Sequence, residues 1–98
     1  MQLEIICYHC QQAAEKSLKA FLLFKDLQPP KTHNLESLVD LCREQSPEFD
    51  EIVEECEYLN PFGLQPRYPF GFELVDSDAT ISRQKSEFIV CFVRKHIC

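Results

Sequence analysis

The sequence predicts an all-α fold, an up-and-down four-helix bundle formed as a single domain by residues 1–98. The 98 residues include only two glycines and no tryptophan, and long stretches contain no run of β-branched residues. This composition favours helices over sheets. Apolar residues recur at intervals of three and four in four segments, as on the buried faces of helices. A chain of this length suffices for one modest hydrophobic core.

The first helix is expected from Leu3 to about Lys25. The pair Pro29 and Pro30 must end any helix before it, because proline cannot continue the backbone hydrogen bonding. On a helical wheel one face gathers most of the apolar side chains. The residues on this predicted face are Leu3, Ile6, Cys10, Ala13, Phe21 and Phe24.

Capping residues mark the starts of the second and third helices. The segment 32–34 offers polar side chains suited to an N-cap, and Ser46 followed by Pro47 is typical of a cap with proline at the first helical position. The apolar stripe of the second helix consists of Leu35, Leu38, Val39 and Cys42. That of the third consists of Phe49, Ile52, Val53, Cys56 and Leu59.

Residues 60–75 break the helical pattern with three prolines and four aromatic residues. Irregular connections of this length are uncommon in small domains and often carry function. Acidic side chains at Asp76 and Asp78 then predict the start of the last helix, where the helix dipole favours negative charge. Its expected apolar side consists of Ile81, Phe88, Ile89, Phe92 and Val93.

Charge and hydropathy exclude several function classes. The net charge of −6 argues against broad, non-specific binding of nucleic acid. The chain has no apolar run long enough to span a bilayer and no signal-peptide pattern, so we expect a cytoplasmic protein without membrane contact. Six cysteines are present. Three of them, Cys42, Cys56 and Cys91, sit among apolar residues, which favours reduced thiols that pack as small hydrophobes.

The tetrapeptide from Cys7 to Cys10 contains two cysteines and a histidine, a combination found in metal and redox sites. A zinc site needs about four ligands, and His33, His96 or Cys98 would have to complete it. A redox pair normally begins a helix after a strand, whereas here the helical pattern continues on both sides. We therefore expect Cys7 and Cys10 to pack in the core, and we expect no metal site.

A polar stripe follows the first helix through His9, Gln12, Lys16 and Lys19, at positions i, i+3, i+7 and i+10. Two ammonium groups, an amide and an imidazole suit a phosphate or a nucleotide base. The alternative is an ordinary solvated helix face, which lysines on helices most often form.

Several landmarks resemble those of the HEPN (higher eukaryote and prokaryote nucleotide-binding) domain family. The run from His9 to Ala20 resembles the family's signature helix, and Pro29–Leu35 resembles its Pro-Pro and Thr-His-Asp-Leu helix start. Leu59-Asn60 and Arg67-Tyr68-Pro69 resemble two further landmarks, in the same order. The resemblance implies a helical bundle that is usually dimeric. It also implies a minimal nucleotidyltransferase partner in a two-component, often toxin–antitoxin, system.

The resemblance also implies a nucleotide site. With Lys19 of the stripe, its residues are His9, Gln12, Lys16, His33, Arg67 and Tyr68. Lys16 and Arg67 would hold phosphate oxygens, Tyr68 would stack on a base or bond a ribose, and ATP is the first ligand to consider. Alternatively, His33 caps its helix, Arg67 pairs with a glutamate of 54–57, and Tyr68 fills the core.

The sequence departs from the family in two respects. The ribonuclease members carry an arginine followed after four to six residues by a histidine, and no arginine here has that partner. We therefore expect no enzymatic activity; the alternatives are a ribonuclease that uses His9 or His33 with Arg67, or a purely structural subunit. The resemblance also implies a further helix before the signature helix, which we expect this sequence to lack, either as a property of the protein or through truncation. Apolar surface near Leu22, Phe88 and Phe92 is then expected to be covered by a second copy in a homodimer.

Overall fold

The structure is a computed structural model and describes residues 3–63 and 75–97. Four α-helices are present in these ranges: α1 (Leu3–Phe24), α2 (Leu35–Gln45), α3 (Val53–Leu59) and α4 (Asp76–Ile97). Two 3₁₀ helices flank α3, at Pro47–Ile52 and Asn60–Gly63. The described residues contain no strand, so the prediction of an all-α bundle is confirmed.

The segment between α1 and α2 returns along α1, so that both helices run in the same direction. Gln11 Nε2 donates to the carbonyl oxygen of His33 at 2.8 Å. Two turns later on α1, the carbonyl oxygen of Leu18 accepts from the Cys42 thiol at 3.7 Å. Residue numbers therefore increase together on the two helices. α1 and α2 therefore do not alternate in direction as neighbouring helices of an up-and-down bundle do. The segment between them lies against α1.

Two serines join α4 to α1. Ser82 Oγ donates to Cys7 Sγ at 3.3 Å, and Ser86 Oγ donates to the carbonyl oxygen of Cys10 at 3.0 Å. Short side chains allow the helices to approach closely, and the hydrogen bonds satisfy the buried hydroxyl groups. As with α2, residue numbers increase together, so α4 runs parallel to α1.

The buried face of α4 differs from the predicted one. Ile81 and Phe88 are 36% and 48% exposed, because the serines and an alanine occupy the face toward α1. Cys91, expected inside, is exposed. Conversely, Leu22 and Phe92, expected to contribute exposed apolar surface, are buried. The buried residues of α4 are Ala79, Ser82, Ser86, Ile89, Phe92 and Val93.

The buried face of α1 is also rotated from the prediction. Phe24 is 51% exposed, and Ile6 and Ala13 are only partly buried. The face turns toward α2 because two polar residues of α1 are buried along with the apolar ones. Its buried residues are Cys7, Cys10, Gln11, Ala14, Glu15, Leu18, Phe21 and Leu22.

Phenylalanines from three elements meet in the core. The ring of Phe49 lies 4.4 Å from that of Phe21 on α1 and 5.1 Å from that of Phe92 on α4, the latter in an edge-to-face arrangement. Phe49 belongs to the 3₁₀ helix Pro47–Ile52, which occupies the first half of the predicted third helix. The predicted stripe is nevertheless kept, because the side chain of Ile52 is also fully buried. This packing joins the C-terminal parts of α1 and α4 through Phe49.

Candidate functional site

Two polar residues of α1, one turn apart, lie inside the protein. Gln11 is 0% and Glu15 is 5% exposed. Buried amides and carboxylates are costly unless they are hydrogen-bonded, so their partners define the structure around them. Together with those partners they form the α1 polar cluster, which consists of Gln11, Gln12, Glu15, Lys19 and His33.

The Gln11 amide joins three segments of the chain. It donates from Nε2 to the carbonyl oxygen of His33 at 2.8 Å, and its Oε1 accepts from Gln12 Nε2 at 2.8 Å. It also packs against Gly63 so closely that a Cβ added there would overlap all three atoms of the amide. A side chain at position 63 is therefore excluded unless the amide moves.

The Glu15 carboxylate is the electrostatic centre of the cluster. Its Oε2 accepts from Lys19 Nζ at 3.0 Å, and the Nδ1 atom of His33 lies 3.0 Å from Oε1 and 3.1 Å from Oε2. Gln12 Nε2 approaches Oε1 at 3.4 Å. Burial by itself acts to raise the Glu15 pKa, but the hydrogen bonds and charges of Lys19 and His33 outweigh it and lower the pKa. Glu15 is therefore ionised.

The His33 ring contacts Glu15 on one side and is exposed to solvent on the other. Its side chain is 69% exposed, whereas the Glu15 side chain that contacts it is 6% exposed. Because a carboxylate only accepts hydrogen bonds, Nδ1 carries the proton. Within the described residues, no partner is present for the other ring nitrogen, Nε2. The imidazole thus presents one nitrogen outward at the edge of the cluster.

Asparagine side chains bind the backbone N–H groups at the start of α2, which follows closely after His33. Asn34 is the N-cap and its Oδ1 accepts from the backbone N–H of Ser37 at 3.1 Å. Asn60, the first residue of the 3₁₀ helix Asn60–Gly63, accepts from the backbone N–H of Leu35 at 2.8 Å. The alternative in which His33 caps this helix is therefore wrong, and the His33 ring is bound to Glu15 instead.

Of the predicted site residues, the structure brings three together. Gln12, Lys19 and His33 all contact Glu15. Lys16 lies on the exposed side of α1 and forms no ion pair within the described ranges. Its ammonium group is therefore available to a ligand beside the cluster, whereas that of Lys19 already contacts Glu15.

His9 lies apart from the cluster. It is exposed and faces a shallow groove of about 330 Å³ between α1 and α4. The groove is lined by Ile6, His9, Cys10, Ala13, Arg83, Ser86 and Glu87. The other two predicted residues, Arg67 and Tyr68, lie outside the described residues, in the segment that follows Gly63.

The cysteines of the first helix pack in the core as predicted. Cys7 and Cys10 are 0% and 9% exposed, and burial raises the pKa of both thiols. Burial also raises the pKa of Cys42 and of Cys56 to about 12. Thiols of this kind stay protonated, whereas metal ligation and disulfide exchange need the thiolate. Within residues 3–63 and 75–97, no group of three histidine, cysteine or acidic side chains is arranged to hold a metal ion.

Gln11 and Glu15 are absent from the residues selected by sequence. Both residues interrupt the apolar half of the helical wheel one turn apart, and this feature of the sequence could have identified them. Polar residues at buried positions need partners, and the polar residues flanking the double proline were the nearest candidates in sequence. The predicted buried face of α1 is centred on residues that face α4, such as Ile6 and Ala13, so Gln11 and Glu15 lie outside it.

The geometry defines the class of protein as an all-α bundle whose first described helix carries buried polar side chains. Residues 2–96 match the family model of the HEPN domain, so this chain belongs to the HEPN domain family. No curated protein and no solved structure matches the chain. None of the described helices combines the length and apolar character needed to cross a bilayer.

Proposed function

We propose that this HEPN domain binds a nucleotide, with ATP as the first candidate, at the α1 polar cluster. One observation carries the proposal: the buried Glu15 carboxylate gathers Lys19 and His33 beside the ammonium group of Lys16, which forms no ion pair with any residue that the structure describes. Because Lys19 offsets the charge of Glu15 and the Nδ1–H group of His33 hydrogen-bonds the same carboxylate, Lys16 adds positive charge to a neutralised centre. A phosphate group fits that arrangement.

Local charge supports an anionic ligand despite the overall negative charge. Residues 16–31 contain four lysines and one acidic residue, Asp26. By contrast, residues 36–57 contain nine acidic residues and one basic residue, Arg43. A negatively charged ligand is therefore attracted more strongly to segment 16–31 than to segment 36–57. Arg67 and Tyr68 are proposed to add a bidentate phosphate contact and a stacking surface.

Calorimetric titration with ATP tests the site. We expect saturable binding by the wild type and binding weakened by about tenfold in Lys16→Ala, equivalent to about 1.4 kcal/mol. The matched control is Lys95→Ala, since Lys95 is also an exposed lysine but lies in the last turn of α4. Arg67→Ala is expected to weaken binding as well. Equal affinity in wild type, Lys16→Ala and Arg67→Ala contradicts the proposal.

We further propose that the domain is the cytoplasmic partner of a minimal nucleotidyltransferase in a two-component toxin–antitoxin system. Membership of the HEPN family over residues 2–96 supports this proposal, together with the resemblance of the signature helix. The free thiols of Cys7, Cys10, Cys42, Cys56 and Cys91 suit a reducing compartment. Co-expression with a nucleotidyltransferase encoded in the neighbouring gene is expected to give a complex that co-elutes by size; separate elution argues against the partnership.

Metal-independent RNA cleavage is the second candidate function. The contact between Glu15 and His33 favours it, because a carboxylate that orients an imidazole is a common device for proton transfer. It requires cleavage of RNA in a chelator-containing buffer and loss of cleavage in His33→Gln. Intact RNA after incubation with a folded wild-type protein excludes it.

We also propose that two copies of the chain form a homodimer. An exposed stripe on α4, consisting of Ile81, Phe88 and Cys91, supports this arrangement. Ile81 and Phe88 lie two turns apart on one side of the helix, so contact with a second copy would cover both side chains.

A further inference from the structure

His33 is tied to α1 at two points. Its backbone carbonyl accepts from Gln11 Nε2 at 2.8 Å, and its ring Nδ1 lies 3.0 Å from Glu15 Oε1. The first contact fixes the position of the residue and the second fixes the orientation of its ring. Both Gln11 and Glu15 are buried in α1. The helix therefore holds the imidazole in one orientation, although most of the His33 side chain is exposed.

The contact with Glu15 also selects the protonation pattern of the ring. A neutral imidazole has one N–H and one acceptor nitrogen. Because the ionised carboxylate binds Nδ1, the proton of the neutral ring resides there and Nε2 becomes the acceptor. Among the described residues, the Glu15 carboxylate contacts the His33 ring, and Lys19 contacts that carboxylate.

We propose that Glu15 is a positioning residue that fixes His33 in the Nδ1–H form, so that Nε2 accepts a hydrogen bond from a ribose hydroxyl of the bound nucleotide. This inference rests on the nucleotide site proposed above and assigns His33 the role of distinguishing ribonucleotides from nucleotides that lack a hydroxyl group. Glu15 acts through His33 and does not itself touch the ligand.

The chemistry of the two partners favours the sugar over the other parts of a nucleotide. An acceptor needs a donor, and ionised phosphate oxygens offer none. Lys19 Nζ and His33 Nδ1 both contact Glu15 Oε2, at 3.0 and 3.1 Å, so the two nitrogens lie within two hydrogen-bond lengths of each other. With a phosphate at Lys16, one turn before Lys19 on the same helix, the adjacent group along the nucleotide is the ribose, which carries hydroxyl donors. The base, with its amino group, lies beyond the sugar.

The histidine tautomer is measured first, by long-range ¹H–¹⁵N correlation of the unliganded protein at alkaline pH, where imidazoles are neutral. The wild type is expected to show His33 protonated on Nδ1. In Glu15→Leu, which removes the acceptor at similar size, this preference is expected to be lost. His96 is the internal control, because its ring nitrogens contact the Phe92 carbonyl oxygen and Glu48, at 2.8 and 2.9 Å, and Glu15→Leu alters neither contact. Its signals are expected to stay unchanged in the variant. A wild-type His33 protonated on Nε2 overturns the inference, whatever the variant does.

Nucleotide discrimination is measured next, with ATP, 2′-deoxy-ATP and 3′-deoxy-ATP as the probes. The wild type is expected to bind ATP about tenfold more tightly than at least one deoxy analogue. His33→Ala and Glu15→Leu are expected to bind all three with similar affinity. Equal binding of the three by the wild type overturns the ribose contact while the nucleotide site stands. Failure of all three to bind overturns both the site and the inference.

Discussion

Glu15 and Gln11 show how a buried polar side chain determines what surrounds it. Neither residue can remain inside the protein without partners, and the partners that satisfy them lie in the α1–α2 connection and, on α1, at Gln12 and Lys19. The polar stripe of the first helix selected Gln12 and Lys19, and the resemblance to the HEPN family selected His33. It could not identify the carboxylate that joins them, because helical periodicity alone does not separate a buried glutamate from an exposed one.

Replacement of Gln11 by alanine is expected to lower the free energy of unfolding by about 1–3 kcal/mol. The change leaves the His33 carbonyl without its 2.8 Å donor and opens a cavity beside Gly63. Urea unfolding monitored by circular dichroism measures the effect. Gln28→Ala is the matched control, because Gln28 is exposed, and a loss of stability equal to that of the control contradicts the account.

His96 is expected to make stability depend on pH. Its Nδ1 contacts the Phe92 carbonyl oxygen at 2.8 Å and its Nε2 contacts Glu48 at 2.9 Å, so both nitrogens favour the protonated ring and the pKa of His96 is raised. A raised pKa stabilises the folded protein fully below the ordinary imidazole pKa of about 6.5. That contribution disappears as the pH rises through the raised value.

The comparison of wild type with His96→Gln measures this contribution through unfolding in urea. The variant is expected to be less stable than the wild type at acidic pH, above the range where carboxylates titrate, and the difference is expected to shrink at alkaline pH. His9→Gln is the control, since His9 is exposed and carries no ion pair in the described chain. A stability difference for His96→Gln that grows with pH is inconsistent with the assigned contacts.

At the scale of elements, capping chemistry predicted helix starts better than periodicity predicted buried faces. The N-cap at Asn34 lies where the sequence placed it. A helix also begins at Pro47 as expected, but it is a 3₁₀ helix and the Ser46 side chain makes no capping hydrogen bond. The predicted buried face of α4 was wrong because the hydrophobic pattern treats Ser82 and Ser86 as exposed polar residues. Their hydrogen bonds to α1 allow them to be buried. Side-chain hydrogen bonds to another helix have no signature in the spacing of one helix.

The 3₁₀ helix Asn60–Gly63 is expected to depend on the absence of a side chain at its last residue. In Gly63→Ala the new Cβ overlaps the Gln11 amide, and overpacking of this kind costs about 1–3 kcal/mol. A double-mutant cycle with Gln11→Ala separates this clash from the intrinsic preference of the backbone. We expect the double variant to be more stable than the sum of the single effects predicts; strict additivity contradicts the contact.

At the scale of the whole molecule, the all-α class followed from composition and periodicity, whereas the direction of the helices did not. Periodicity indicates which residues face the core and says nothing of whether a neighbour runs parallel or antiparallel. The parallel arrangement of α1 and α2 arises because the connecting segment is pinned back along α1 at His33. Tertiary hydrogen bonds of this kind are made only in the folded chain.

Association through α4 is the prediction that belongs to this scale. Sedimentation equilibrium is expected to give twice the mass of the chain for the wild type and the monomer mass for Phe88→Glu, because a charge in the apolar stripe opposes its burial. Thr80→Glu places the same charge at another exposed position of α4 and is expected to leave the dimer intact. A monomeric wild type, or a dimer unaffected by Phe88→Glu, contradicts the proposed surface.

The most direct test of the central claim is an amide ¹H–¹⁵N titration of the wild-type protein with ATP, in which each residue reports its own response. The account predicts saturable shifts centred on the α1 polar cluster and Lys16, with His33 among the largest. Shifts confined to the α1–α4 groove near Ile6 and Arg83, or a spectrum unchanged at saturating ATP, would contradict it.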